Sequence, residues 1–322
     1  MENLGTWGDS IRGKGVEFLE FSNQSDVSLI NSWEPVVKMM RGSDATSNFS
    51  GKTGAGYPQR TADGSPVATG NRYKLYDTSV SQDPISLRLE ITRQTLLYRR
   101  HGEAFNENND LIRAYKNYLT RGAAQFFTRA FTSGAGVSNG TRIVPYGDGA
   151  PLCSTSHPRV DGGTAQSNAS ATGIPLTEAN FETGRIALYN QLQDDGVPIT
   201  APGELWLVVG INNDKQAQII AKSEKRAGTG NNDLNIYLGL VNVLSTTYLD
   251  TVAGATNNTH WFIVAANYAK LTMIISAGPD IEILQDKNTK SHLFDLMFDA
   301  GFCAYDWRGV WGTLGDNAAY AS

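Results

Sequence analysis

Residues 109–132 place Ile112, Tyr115, Leu119, Ala123, Phe126 and Ala130 at three- and four-residue spacing, which makes one unbroken apolar stripe. Leu111, Tyr118 and Phe127 widen it. Asn109 or Asp110 supplies a side-chain oxygen for a free backbone N–H at the start. Ser133–Gly134–Ala135–Gly136 ends the pattern. About 24 residues at ~1.5 Å each give a helical rod of roughly 36 Å, long for a domain of this size.

Strand signals surround that helix. Ile85, Leu87, Leu89 and Ile91 alternate with Ser86, Arg88, Glu90 and Thr92, a period of two with one buried face. The same period runs through Phe294, Leu296, Phe298, Ala300, Phe302 and Ala304, which predicts one unusually long strand leading to Tyr305–Trp311. Residues 204–211, 236–244, 261–266 and 270–276 read as further strands. Thr177–Gln193 reads as a second helix, capped by Thr177, with Phe181, Leu188 and Leu192 inward. Asp194–Asp195–Gly196 closes it, and Asn213–Lys222 reads as a short third helix. The mixture is α+β, with a loop-rich insertion over 134–175 and a polar loop over 225–233. Of the 322 residues 40% are hydrophobic and 18% charged, so the chain has enough apolar surface to fold.

Residues 1–84 differ. Short apolar groups sit among Gly, Ser and Asn, and Gly51–Pro58 and Ala62–Pro66 are loop chemistry. The aromatic residues Trp7, Phe18, Phe21, Trp33, Phe49 and Tyr57 are too many for a disordered tail, so this part is expected to gain order from neighbouring subunits.

The net charge of −5 argues against a dedicated nucleic-acid binder. No basic-then-apolar leader opens the chain, and the longest apolar runs, such as 261–266, are too short to cross a bilayer. A soluble protein made in a cytoplasm, with Cys153 and Cys303 as free packed thiols, is the expectation.

Catalytic chemistry finds little support. Gly51–Lys52–Thr53 matches only the end of a phosphate-binding loop, because Thr46 stands where the first glycine belongs. Cys153 and His157 make two metal ligands without a second pair. His101, His157, His260 and His292 lie in no recognised catalytic setting, and Asp194–Asp195 reads as a solvated turn. No catalytic residue, cofactor or metal is expected. Residues 88–131 hold eight basic and four acidic residues. Arg113, Lys116, Arg121 and Arg129 are candidates for weak, sequence-independent contact with DNA phosphates, against a plain solvated helix face.

Three segments carry a resemblance. Pro151–Leu152–Cys153–Ser154–Thr155–Ser156–His157–Pro158, with Gly162–Gly163–Thr164 and Ser167–Asn168, resembles a segment of Mu-like phage major head subunits. Asp195–Gly196–Val197–Pro198–Ile199, with Pro202 and Leu205, fits the same pattern. Asp306–Trp307–Arg308–Gly309–Val310–Trp311–Gly312 resembles the closing strand of phage capsid proteins. The resemblance covers roughly residues 75–312. It implies the Hong Kong 97-type capsid fold, with an N-terminal arm at 1–45 and an extended β-loop at 46–92. A peripheral domain at 93–175 and 281–322 would hold the spine helix 109–132, and an axial domain would occupy 176–280. It also implies self-assembly as pentamers and hexamers into an icosahedral shell around double-stranded DNA, in a virion with a portal and with scaffold or decoration proteins as further partners. Trp7, Phe18, Trp33 and Tyr57 become candidate intersubunit anchors. An encapsulin-type compartment or another virion structural protein is the alternative.

Overall fold

The alternation at Phe294–Ala304 becomes a 13-residue strand, His292–Ala304, and the larger sheet forms around it because both of its edges are used. The computed structural model of the chain describes residues 33–42, 44–67, 69–70, 72–94, 101–134, 136–138, 141–198, 203–225, 234–249 and 259–317, with the side chains of 101–109 and 136–138 set aside. In chain order the elements are β1 (Lys38–Arg41), β2 (Thr46–Phe49), β3 (Thr78–Ser81), β4 (Asp83–Ile91), α1 (His101–Thr128), β5 (Gly136–Ser138), β6 (Thr141–Val144), α2 (Glu178–Tyr189), β7 (Leu205–Gly210), α3 (Ile211–Lys222), β8 (Val241–Thr246), β9 (Trp261–Ala265), β10 (Leu271–Ile275), β11 (Asp280–Gln285), β12 (His292–Ala304) and β13 (Val310–Thr313).

One edge of β12 takes β11 and then β10, both antiparallel. The other takes β4, antiparallel, and then β6, parallel. β1 continues the sheet beyond β10, and β5 beyond β6. The smaller sheet runs β13–β9–β7–β8. Its β7 and β8 are parallel, so α3 is the crossover between them, as a parallel pair requires.

α1 lies between the two sheets, and its aromatic residues divide accordingly. Toward β12, Tyr115 meets Phe298 edge-on at 4.8 Å and Phe126 meets Phe302 at 6.3 Å. Toward β9, Phe127 packs on Phe262 at 5.1 Å. Gly122 lets the helix approach this closely: a Cβ there would lie 2.3 Å from the Phe302 ring. On the far face of the smaller sheet, Phe181 and Leu188 of α2 and Ala217 and Ile220 of α3 cover Leu207, Val209, Ile263 and Trp311.

Several expectations shift. α1 starts at His101 rather than 109 and ends at Thr128 rather than 132. Thr177 caps α2 as expected, its hydroxyl accepting from Asn180 N at 3.2 Å. The helix stops at Tyr189 rather than Gln193, because Gln191 turns its amide to the β13 corner: Nε2 donates to Val310 O at 3.0 Å and Oε1 accepts from Gly309 N at 2.9 Å. The strand expected at 236–244 begins only at Val241. Ahead of it Asn235 donates to Ile220 O and Ser223 O and accepts from Tyr237 N, and Gly239 has φ +72°. That local bonding holds 235–240 as a turn. Sheet membership also crosses the expected domain borders. β4 belongs to the larger sheet rather than to the extended loop, β10 joins it from the axial range, and β13 joins the smaller sheet from the peripheral range.

Candidate assembly surfaces

A two-stranded hairpin leaves the larger sheet at Thr46 and returns at Ser81. β2 and β3 pair antiparallel from Thr46↔Ser81 to Phe49↔Thr78. The ladder continues through Lys52↔Lys74, with Leu75 N donating to Gly51 O and Thr53 N to Tyr73 O, each at 2.9 Å. Gly51–Lys52–Thr53 is thus one arm of a hairpin, with no helix behind it, and the phosphate-loop geometry is not formed. Beyond Thr53 the hairpin carries Tyr57 and Val67 in solvent. Its near end rests on the chain's own body: a Cβ at Gly54 would fall 2.0 Å from Asp195 Oδ2.

Beneath this contact lies a buried polar node. Arg308, 5% exposed, places Nη2 2.8 Å from Asp194 Oδ2 and Nη1 3.0 Å from Asp306 Oδ1. Its Nε donates to Leu192 O at 2.9 Å, and its guanidinium lies 4.7 Å from the Trp307 ring centre. The Trp307 ring stacks on His157 at 4.3 Å with 6° between planes. Burial pushes the Asp194 carboxyl up, and the Arg308 charge opposes that. Asp194 is therefore a buried ion-pair partner rather than part of a solvated turn. Asp195 does behave as a turn residue, its Oδ1 accepting from Val197 N.

His157 is fully buried. Its Nδ1 lies 2.7 Å from Asp148 Oδ2, and its Nε2 lies 3.1 Å from Asn168 Oδ1. Asn168 is oriented by two backbone groups: its Oδ1 accepts from Ser154 N and its Nδ2 donates to Leu152 O. With Asn168 Oδ1 fixed as an acceptor, Nε2 is the donor of that contact. This network fixes the 145–170 loop on the β12–β13 corner. Cys153 beside it and Cys303 on β12 are both buried thiols outside any disulfide; burial pushes the Cys153 thiol up, and Cys303 up to about 12. Among the described residues no group of three His, Cys, Asp or Glu side chains could hold a metal ion.

Of the expected anchors, Trp7 and Phe18 lie outside the described residues. Trp33 is buried in the chain's own core, its ring 5.9 Å from Phe127. Tyr57 is 66% exposed. The basic residues of α1, and Arg129 just past its end, do not form a row. At 100° per residue, Arg113 and Lys116 lie about 60° apart, while Arg121 and Arg129 stand about 80° and 160° to the other side of Arg113. Arg113 is exposed and pairs with Asp110 at 3.7 Å, and Arg121 lies over the Tyr118 ring. An apolar surface unmarked in the sequence reading is the 234–240 turn, where Leu234, Ile236, Leu238 and Leu240 are exposed. Their alternation imitates a strand, and only Asn235 and Gly239 signal the turn.

Among the described residues no helix is long and apolar enough to cross a membrane. No curated protein matches the chain by sequence. Solved structures do match it. The chain aligns with a structure of Mycobacterium phage Patience at a TM-score of 0.55 and 12% identity, over 99% of this chain and 90% of that one. It aligns with the capsid of an empty GTA particle at 0.51 and 12%, over 87% and 88%. The capsid of Ralstonia phage GP4 gives 0.51 and 11%, over 89% and 88%. At these identities the likeness establishes the fold, which is the Hong Kong 97-type capsid fold. A family profile described as phage capsid protein matches residues 75–312, from the returning arm of the hairpin to β13, and the chain belongs to that family.

Proposed function

We propose that this chain is the major head subunit of a tailed phage, assembling as pentamers and hexamers into an icosahedral shell around double-stranded DNA. The observation that carries the reading is the hairpin. In a member of the phage capsid family, Thr46–Ser81 projects from a closed two-sheet body and holds Tyr57 and Val67 in solvent. Exposed aromatic residues on a projecting arm suit anchoring into an adjacent copy. Many such contacts made together hold a particle more firmly than any one of them, because later contacts form between groups already held close.

In this reading the arm assigned to residues 1–45 ends by entering the larger sheet as β1, the hairpin is the extended loop, the larger sheet with α1 is the peripheral domain, and the smaller sheet with α2 and α3 is the axial domain. Arg113 and Lys116, on neighbouring sides of α1, are the basic residues assigned to non-specific DNA contact. A portal and a scaffold or decoration protein complete the set of partners. The resemblance of Pro151–Pro158 to a segment of Mu-like head subunits supports that subfamily within this reading.

Negative-stain electron microscopy of the purified protein tests the proposal. Uniform closed particles, or rings of five and six, are expected, and nuclease-protected DNA is expected inside particles made during infection. Only monomers, even with the phage's other head proteins present, would overturn it, and particles filled with protein cargo would replace it with the compartment reading.

A further inference from the structure

The apolar face of β4 is only partly covered. Ile85, Leu87 and Leu89 stand opposite Phe298, Leu296 and Phe294 of β12, so the two strands present one apolar surface toward α1. α1 leaves a cleft of about 500 Å³ over it, lined by Ile85, Leu87, Tyr115, Tyr118, Leu296 and Phe298, with Tyr248 and Arg121 at its margin. Leu87, central to the face, is 41% exposed. An open cleft of aliphatic and aromatic side chains marks a binding surface.

We propose that the cleft is the dock for this chain's own N-terminal segment Val16–Phe21. That segment is Val16–Glu17–Phe18–Leu19–Glu20–Phe21, four apolar side chains around two carboxylates. Its chemistry fits an aromatic cleft bordered by a guanidinium, with Glu17 or Glu20 toward Arg121. Residues 1–32 contain five acidic and two basic residues, opposite in sign to the basic excess of α1. The segment also reaches. The described chain begins at Trp33, on Phe127. Tyr118, nine residues before Phe127, lies about 180° around the helix and roughly 13 Å along it. Twelve residue steps separate Phe21 from Trp33, enough for about 40 Å of extended chain. The arm can therefore pass round α1 and enter the cleft of its own subunit. The assignment goes beyond the shell reading and can fail or succeed without it.

Cysteine trapping in the full-length protein tests the dock. With Phe18→Cys and Leu87→Cys together, mild oxidation is expected to give a disulfide within one chain, seen as a faster-migrating monomer on a non-reducing gel that reverts on reduction. Phe18→Cys with Val67→Cys, on the hairpin, is the control expected to stay reduced. Failure of the Phe18–Leu87 pair to close, or closure only between chains as dimers and ladders, overturns the assignment to the chain's own arm. A second reading needs no new cysteine: Phe18→Asp in the wild-type background should speed hydrogen exchange of 83–91 and 292–298 several-fold. Unchanged exchange there would also overturn the proposal.

Discussion

Arg308 and Asp194 form an ion pair inside the molecule, Nη2 to Oδ2 2.8 Å, with side chains only 7% and 4% exposed. Burial costs each charge its hydration, so the pair is worth little as a pair and a great deal when broken. Arg308→Leu is expected to destabilise the subunit by about 3–5 kcal/mol, because Asp194 and Asp306 are left facing each other without their cation. Arg308→Leu combined with Asp194→Leu should cost clearly less than the sum of the two single changes. Chemical denaturation of the unassembled subunit reads both, and additive losses would remove the ion pair from the account.

His260 provides the pH dependence. Its ring lies 5.4 Å from Phe131 and 6.4 Å from Phe262, and burial lowers its pKa to about 4, with Asp316 pulling the other way. The folded state resists a proton that the unfolded chain accepts near pH 6.5. Stability from this group is therefore full above pH 6.5, declines as pH falls, and levels off near 4, for a total of roughly 3 kcal/mol. His260→Gln should flatten that part of the stability–pH curve. An unchanged curve would place the acid sensitivity elsewhere.

Gly122 is expected to tolerate nothing larger. A Cβ there meets the Phe302 ring at 2.3 Å, so Gly122→Val should cost about 1–3 kcal/mol and loosen α1 from β12. A melting temperature equal to wild type would show that the helix can shift aside.

Tyr57 separates folding from assembly. It is exposed on the hairpin, so Tyr57→Ser should leave the subunit's stability within about 0.5 kcal/mol. Particle yield should fall all the same. Wild-type yield by electron microscopy and sedimentation would remove this residue from the intersubunit contacts.

Much of the fold was legible wherever side-chain period alone decides. β4, β12 and the body of α1 follow from spacing, β7, β9 and β10 from short apolar runs, and the α2 cap from the Thr177 hydroxyl. The misreadings came where distant or local polar bonds outweigh period. The Asn-rich run before Asp110 reads as a helix start, yet the helix runs through it from His101. Leu234–Leu240 alternates like a strand, but Asn235 spends its amide on the end of α3. Asp194 looked solvated because its partner is more than a hundred positions away, at Arg308. Trp33 looked like an interface residue because aromatic content says that a ring will be buried without saying against which chain. The exposure of Leu87 was equally invisible, since alternation marks which face is apolar and not how far a helix covers it.

α1 is gripped from both sides, by Phe298 and Phe302 of one sheet and by Phe262 of the other. Neither sheet can slide without dragging the same rod, so the body behaves as a stiff tile. A vault laid from stiff tiles takes its curvature at the mortar. Differences between flat and sharply bent regions of such a wall then fall to the hairpin, which lies outside that grip.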